Sequence, residues 1–223
     1  MATSTFRKVC TLLSLFLFVH HVVLSSNADS ASAEEVIALL KWKNTLSNQT
    51  QSRLRLWTSL PNASANSNYS TDLCTWFGIS CNPAGSVVRM NLTSFGLQGT
   101  LHGFSFLSFP NLEYLDLSMN ALFGNIPPQI SDLSKLIYLD LSVNLMSGKI
   151  PQEIGHLSSL AWLQLFKNRL EGHIPFSLEN LRNLTFLNLW GNKLSDSIPK
   201  ELGHLTSLTK LSLSQNCLEG PIL

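Results

Sequence analysis

Apolar positions in the second half of the chain recur with a period of 24 residues. Each copy has the frame Leu-x-x-Leu-x-Leu-x-x-Asn, followed in most copies by Leu-x-Gly-x-Ile-Pro. The full copies span 112–135, 136–159, 160–183 and 184–207, and a partial copy follows to the last residue. Residues 87–101 fit as a degenerate first copy, with Phe95 at the asparagine position. Self-similarity at a fixed period of this length predicts a repeat architecture. The repeat asparagines are Asn120, Asn144, Asn168, Asn192 and Asn216.

The alternation of leucines and polar residues at the end of Leu-x-x-Leu-x-Leu predicts one short, half-buried strand per repeat. Stacked repeats then form a parallel sheet with strands about 4.8 Å apart. The asparagine side chain points inward and satisfies backbone groups of the following turn. Glycine relaxes the next bend, and Ile-Pro ends the extended piece because proline has no N–H group. The pattern predicts a leucine-rich-repeat solenoid with the parallel sheet on its concave face.

A cap precedes the repeats. Ser32-x-x-Glu35 is a capping box, and apolar residues at helical spacing follow it, which predicts a helix over 34–47. A polar loop over 58–72 separates this helix from the segment Cys74–Cys81. We therefore divide the chain into an N-terminal cap over 29–86 and repeats over 87–223. Because the last residue falls inside a repeat, we expect the chain to be a piece of a longer array.

The first 28 residues resemble a secretory signal peptide. Arg7 and Lys8 precede an apolar run from Val9 to Leu24, and Ala28 ends a small-residue cleavage motif. A second candidate motif, Ala-Ser-Ala, spans 31–33. A membrane anchor is the alternative, but the run is shorter than the roughly 20 residues that a spanning helix needs. We therefore expect residues 1–28 to be removed and the mature chain to be extracellular.

Cys74 and Cys81 are expected to form a disulfide, because an extracellular compartment is oxidising. A metal site is the alternative, although no second pair of ligands lies nearby in the sequence. Cys217 is left over as a free thiol, an intermolecular partner or an ordinary substitution.

Five Asn-x-Ser/Thr sequons predict glycosylation wherever the asparagine is exposed. A glycan on Asn91 would stand on the concave face and would confine a ligand to later repeats. The sequons begin at Asn48, Asn62, Asn68, Asn91 and Asn183.

Composition argues against several functions. Only 13% of residues are charged and the net charge is +1, so there is no basic stripe for nucleic acid. Asp116 and Asp140 lie one repeat apart, and we expect solvated side chains there rather than a catalytic pair. No catalytic triad, phosphate-binding glycine loop or metal-ligand cluster is evident. The sequence predicts no enzyme activity, no cofactor and no metal.

The cap sequences ALLKWKNTL (38–46) and CTWFGISC (74–81), with Leu-x-Gly-x-Ile-Pro repeats, resemble plant leucine-rich-repeat receptor-like kinases. The similarity is greatest to the male-discoverer-interacting receptor group. The resemblance implies the start of a plasma-membrane receptor ectodomain, which binds a peptide or protein ligand and pairs with a co-receptor. Any kinase activity and any membrane anchor would belong to parts outside these residues. A secreted inhibitor of cell-wall-degrading enzymes, similar to polygalacturonase-inhibiting proteins, and a wall scaffold are the alternatives.

Outward strand positions of stacked repeats align in columns on the concave face. Two neighbouring repeats carry aromatic residues in adjacent columns, and exposed aromatic clusters mark interaction surfaces. The alternative is that the rings only pack against each other along the sheet. The predicted ligand-binding residues are Tyr138, Trp162, Phe166, Phe186 and Trp190.

Overall fold

The computed structural model describes residues 33–58 and 73–220. The predicted signal peptide, most of the polar loop, and the sequons at Asn62 and Asn68 lie outside these residues. Within the described part, no helix is long and apolar enough to cross a membrane.

Two helices begin the cap. Helix α1 spans 33–45 and α2 spans Asn48–Arg53, so the predicted single helix to residue 47 was wrong at its end. The break occurs because the Ser47 N–H donates to the Gln98 carbonyl of the first repeat, and the Ser47 side chain caps α2 by accepting from the Thr50 N–H. The break therefore fastens the cap to the repeats.

The buried face of α1 packs on the first repeat. Trp42 is fully buried, its ring lies edge-on to Phe104 at 5.0 Å, and its Nε1 donates to the Thr100 carbonyl at 3.0 Å. Trp57, in the segment that follows α2, is buried and stacks on Trp76 with ring centroids 5.4 Å apart. Burying these large rings closes the first open end of the core.

A disulfide joins Cys74 to Cys81, as predicted. It connects a short 3-10 helix, Leu73–Thr75, to strand β1 (Ile79–Cys81), which pairs antiparallel with β2 (Val87–Asn91). The hairpin is held from the cap by Glu35, a buried carboxylate whose Oε1 accepts from the Ser86 hydroxyl at 2.7 Å and the Val87 N–H at 3.1 Å. Strand β1 thereby covers an edge that the repeats would otherwise leave open.

The repeats add five strands to this hairpin: β4 (Tyr114–Asp116), β6 (Tyr138–Asp140), β8 (Trp162–Gln164), β10 (Phe186–Asn188) and β12 (Lys210–Ser212). The seven strands form one sheet in the order β1-β2-β4-β6-β8-β10-β12. From β2 onward all neighbours are parallel, and equivalent residues pair one repeat apart, for example Tyr114 with Tyr138. The predicted strand per repeat and the parallel sheet are confirmed.

A second, lateral sheet follows the asparagine of each repeat and was not predicted as strands. Its members are two to five residues long and most contain the bend glycine, so their sequences do not show alternation. They are β3 (Gln98–Gly99), β5 (Ala121–Gly124), β7 (Leu145–Lys149), β9 (Arg169–Gly172) and β11 (Lys193–Leu194). The convex side carries 3-10 helices: Phe106–Ser108, Pro128–Asp132, Gln152–His156, Phe176–Asn180 and Lys200–His204.

The repeat asparagines form a ladder between the two sheets. Asn144 is buried, and its Nδ2 donates to the carbonyls of Leu117, Leu141 and Ser142 at 3.0, 3.1 and 3.1 Å. Its Oδ1 accepts from the Leu122 N–H at 3.0 Å. Two of these partners belong to the preceding repeat, so each asparagine ties one repeat to the next. The predicted role of the asparagines is confirmed.

Candidate binding surface on the concave sheet

The first outward column of the concave sheet is a stack of rings, which we call the aromatic ladder: Tyr114, Tyr138, Trp162 and Phe186. Successive ring centroids lie 4.2, 6.1 and 4.3 Å apart, with interplanar angles of 22° or less. The parallel register places equivalent residues of neighbouring repeats side by side, and these rings therefore stack face to face. A cation ends the ladder on each side: the Arg89 guanidinium lies 3.5 Å from the Tyr114 centroid, and the Lys210 Nζ lies 5.9 Å from that of Phe186.

Stacking limits what the aromatic ladder offers to a ligand. All four residues are half-buried, because each ring covers the face of its neighbour. The Trp162 Nε1 is buried and donates to no group in the described part of the chain. An unsatisfied buried donor of this kind costs about 1–3 kcal/mol. The ladder thus presents ring edges and supports the sheet beneath it.

The second column contains Asp116 and Asp140, whose predicted solvation is wrong: only 7% and 5% of these residues is exposed. The Asp140 Oδ1 accepts from the Ser142 N–H at 2.8 Å, and its Oδ2 accepts from the Gln164 Nε2 at 2.7 Å and the Tyr138 hydroxyl at 3.3 Å. Burial raises the pKa of the Asp140 carboxyl above its usual range, although the hydrogen bonds from Ser142 oppose this. Burial also raises the pKa of the Tyr138 hydroxyl.

The third column changes character along the sheet. In the first two full repeats it holds Ser118 and Ser142, which are buried. The Ser118 hydroxyl donates to the Asp116 Oδ1 at 2.6 Å, and the N–H groups of the two serines donate to the Oδ1 atoms of Asp116 and Asp140. In the next two repeats the column holds Phe166 and Trp190 instead, with ring centroids 6.2 Å apart and planes tilted by 41°.

Phe166 and Trp190 are packed more loosely than the aromatic ladder. Both are half-buried, and the Lys167 Nζ lies 4.9 Å from the Trp190 centroid. They follow the ends of β8 and β10, the strands that carry Trp162 and Phe186, and the second column lies between the two pairs of rings. We call these four residues on the concave face the four-ring cluster. Tyr138 is not part of this cluster; it belongs to the preceding repeat and stacks on Trp162. Large rings at a partly exposed site supply contact area at low entropic cost.

Three of the predicted sequons lie in the described residues. Asn48 is exposed at the start of α2, and Asn183 is exposed with its Nδ2 donating to the Ser158 carbonyl at 2.9 Å. Asn91 is half-buried at the end of β2, and its Oδ1 accepts from the Thr93 N–H at 3.1 Å. Glycosylation of all three stays a prediction. Cys217 is an exposed free thiol.

Two family matches agree with this architecture. Residues 90–219 match the leucine-rich repeat region family, and residues 32–82 match the leucine rich repeat N-terminal domain. The first match alone covers more than half of the chain, and the chain belongs to the leucine-rich-repeat family.

Curated relatives are receptor kinases from Arabidopsis thaliana. The chain is 44% identical over 116 residues to a probable leucine-rich repeat receptor-like protein kinase, covering 52% of this chain and 10% of the relative. It is 43% identical over 125 residues to MDIS1-interacting receptor like kinase 2, covering 56% of this chain and 11% of that protein. The chain therefore spans about a tenth of the length of these relatives.

Solved structures show the same fold. The Arabidopsis receptor kinase HAESA, in complex with the peptide hormone IDA and the co-receptor SERK1, superposes with a TM-score of 0.71 at 34% identity. That match covers 83% of this chain and 30% of the HAESA complex chain. The chain thus resembles plant leucine-rich-repeat ectodomains.

Proposed function

We propose that this chain is the N-terminal part of a plant receptor-like kinase ectodomain, and that its concave face binds a peptide or protein ligand together with a co-receptor. The proposal includes the finer assignment to the male-discoverer-interacting receptor group. It also includes removal of residues 1–28, the division into a cap over 29–86 and repeats over 87–223, and display at the plasma membrane through parts of the protein beyond these residues. The four-ring cluster is the observation that carries the proposal.

The second column, which runs between the two pairs of rings in the four-ring cluster, suits a polypeptide ligand. Asn188 lies on β10 between the Phe186 and Trp190 positions, and its Oδ1 accepts from the Trp190 N–H at 3.2 Å. Its amide N–H groups have no described partner and provide donors for ligand backbone carbonyls. Apolar anchors beside a few placed polar groups are the usual composition of a recognition surface.

Substituting the less tightly stacked ring tests this proposal. In the ectodomain that contains this chain, Trp190→Ala is expected to weaken binding of a peptide selected from a synthetic secreted-peptide library by about 30-fold, as for a central aromatic anchor. Isothermal titration measures the change. Phe176→Ala, at an exposed ring on a convex 3-10 helix, is the control and leaves the affinity unchanged. Equal affinities for Trp190→Ala and the unsubstituted ectodomain would contradict a ligand site at the four-ring cluster.

A further inference from the structure

Three positions of each repeat line the side of the solenoid between the concave and lateral sheets: the residue before the asparagine position, the residue after it, and the third residue after it. None of these side chains can enter the core, because the leucines and the asparagine between them occupy it. In the degenerate first copy and the next two repeats the nine positions are Ser94, Gly96, Gln98, Met119, Ala121, Phe123, Val143, Leu145 and Ser147.

No ionisable residue occurs among those nine positions. The equivalent nine positions of the next three repeats include five charged residues: Lys167, Arg169, Glu171, Lys193 and Glu219. The backbone is the same in both halves, so the local fold does not require the difference. One half of the side is uncharged and the other half has an ordinary charged surface.

The uncharged half exposes large apolar side chains. Met119, Phe123 and Leu145 are 56%, 46% and 38% exposed, and Phe123 and Leu145 are register partners on β5 and β7. At the cap end Phe77 stacks on Phe95 with ring centroids 4.9 Å apart. We call these five residues, with the exposed Leu56, the lateral apolar strip. Large apolar side chains exposed along one side of a protein mark an interaction site.

Cations stand at both ends of the lateral apolar strip. Arg53 and Arg55 line a cavity of about 240 Å³ together with Leu56, Phe77 and Phe95. The Arg53 guanidinium is held in place by donating to the Phe95 carbonyl at 2.9 Å. At the far end, the third full repeat places Lys167, Arg169 and Glu171 at exposed positions of the same columns, so two cations stand there against one carboxylate. An apolar centre without charged groups, with arginine at its rim, is the composition of an interface core.

We propose that the lateral apolar strip is a second docking surface, distinct from the concave face, for an extended polypeptide segment that is apolar at its centre and acidic at both ends. From the Phe95 turn to the Lys167 turn is three repeat spacings, about 15 Å, which matches about five extended residues. Strand-like side-chain alternation places apolar groups on the strip while flanking carboxylates reach the two basic ends.

Charge argues against a second copy of this chain as the occupant. Antiparallel pairing of two strips would bring Arg53 and Arg55 of one copy to Lys167 and Arg169 of the other. Like charges across an interface disfavour association. A segment with acidic ends has the complementary charge at both places.

Two synthetic peptides, labelled with fluorescein, test the proposal on the full chain. One has a five-residue centre of alternating leucine and serine flanked by two aspartates at each end, and the other has lysines in place of the aspartates. Fluorescence anisotropy is expected to show at least about tenfold tighter binding of the aspartate peptide. Equal binding of the two peptides, or no binding of either, would overturn the proposal.

Variants then locate the binding. The double change Phe123→Ser and Leu145→Ser is made at exposed positions that tolerate polar residues. Ser147 and Ser195 occupy the repeat position of Phe123, and Arg169 and Lys193 occupy that of Leu145, so folding is expected to be retained and a thermal melt checks it. The double change is expected to weaken aspartate-peptide binding at least about tenfold. Arg55→Glu is expected to reduce the preference for the aspartate peptide. Phe176→Ser is the matched control.

The concave face provides the second control. Phe186→Ala, in the four-ring cluster and with its ring facing Lys210 rather than Lys167, is expected to leave aspartate-peptide binding unchanged, so failure of the lateral site and failure of the concave site are separable results. If the Phe123 and Leu145 changes leave peptide affinity unaltered, the strip is not the proposed docking surface. The same conclusion follows if sedimentation shows that the unsubstituted chain self-associates and that the double variant does not.

Discussion

Asp140 carries its carboxyl group beneath two side chains that its own sheet supplies, the Tyr138 hydroxyl and the Gln164 amide. Both are donors, and neither carries a positive charge. Desolvation therefore remains the largest influence on its pKa, which is raised. By accepting from the Ser142 N–H, the carboxyl group stabilises the backbone at the end of the strand.

The raised pKa of Asp140 predicts a pH effect on stability. A carboxyl group whose folded pKa exceeds its unfolded value contributes stability that is fully present below the unfolded pKa and is lost as pH rises through the folded pKa. We therefore expect Asp140→Asn, which cannot ionise, to gain free energy of unfolding relative to the unsubstituted chain as the pH rises above about 4, the ordinary pKa of an aspartate. Urea unfolding at several pH values measures the difference.

Asp132→Asn is the matched control, because it removes a carboxyl group from an exposed 3-10 helix position. A stability difference for Asp140→Asn that stays constant or falls as the pH rises would contradict the assignment. Glu35 is present in both chains, so its own raised pKa cancels from the comparison.

At the level of elements, the cap shows how an open sheet edge is closed. Strand β1 pairs antiparallel with β2, the disulfide joins β1 to the preceding 3-10 helix, and Glu35 accepts from the backbone of β2. The first two restraints are local in sequence, whereas Glu35 lies 52 residues before Val87. The first repeat strand is thus held on the side where no repeat precedes it.

Replacing both Cys74 and Cys81 by serine is expected to lower the free energy of unfolding by about 2–3 kcal/mol, because a short closed loop is released in the unfolded chain. The change belongs in a Cys217→Ser background, which prevents disulfide exchange with the exposed thiol. Urea unfolding followed by circular dichroism measures it. A midpoint equal to that of Cys217→Ser alone would show that pairing with β2 suffices to hold the edge.

The elements differ in how far the sequence predicted them. The 24-residue frame was sufficient for the concave strands and the asparagine ladder, since each rests on a local pattern that repeats. The lateral sheet was missed because strands as short as Lys193–Leu194 have no alternation to detect. The end of α1 depends on the contact of Ser47 with Gln98, which is 51 residues away. Burial of Asp116 and Asp140 depends on neighbouring side chains. Strand alternation predicts to which face of the sheet a side chain points, but not whether other side chains cover it there.

The four-ring cluster was predictable as a set of columns, because a fixed period places Trp162 beside Phe186 and Phe166 beside Trp190. The degree of stacking was not predictable. Rings 4.3 Å apart in the first column and 6.2 Å apart in the third come from ring rotations that the sequence does not specify.

For the whole molecule, stability accumulates along the stack because each repeat contacts only its neighbours. Leu139 and Leu211 occupy the same position of different repeats. Leu139 is fully buried between β4 and β8, whereas Leu211 on β12 is 47% exposed and pairs with β10 on one side in the described chain. In a chain that stops at residue 223, Leu211 therefore has less energetic weight than Leu139.

We expect Leu139→Ala to lower the free energy of unfolding by about 3–5 kcal/mol, the range for a fully buried leucine, and Leu211→Ala to cost less than about half as much. Urea unfolding of the two variants compares them directly, and amide exchange shows where each acts. Similar losses for both would indicate that the last strand is as well packed as the centre.

The asparagine ladder also restricts how the gene can change in length. Each asparagine bonds to carbonyls both three residues before it and 27 or 28 residues before it, so inserting or deleting one residue within a repeat would misplace donors on both sides. Duplication or loss of a complete 24-residue unit preserves every such bond. The tolerated exception is the segment before Leu112, where one additional residue separates Leu92 from Leu117 and the bond from Asn120 to Leu92 is still made at 2.9 Å. Length variation among alleles is therefore expected in whole units, or in that one segment.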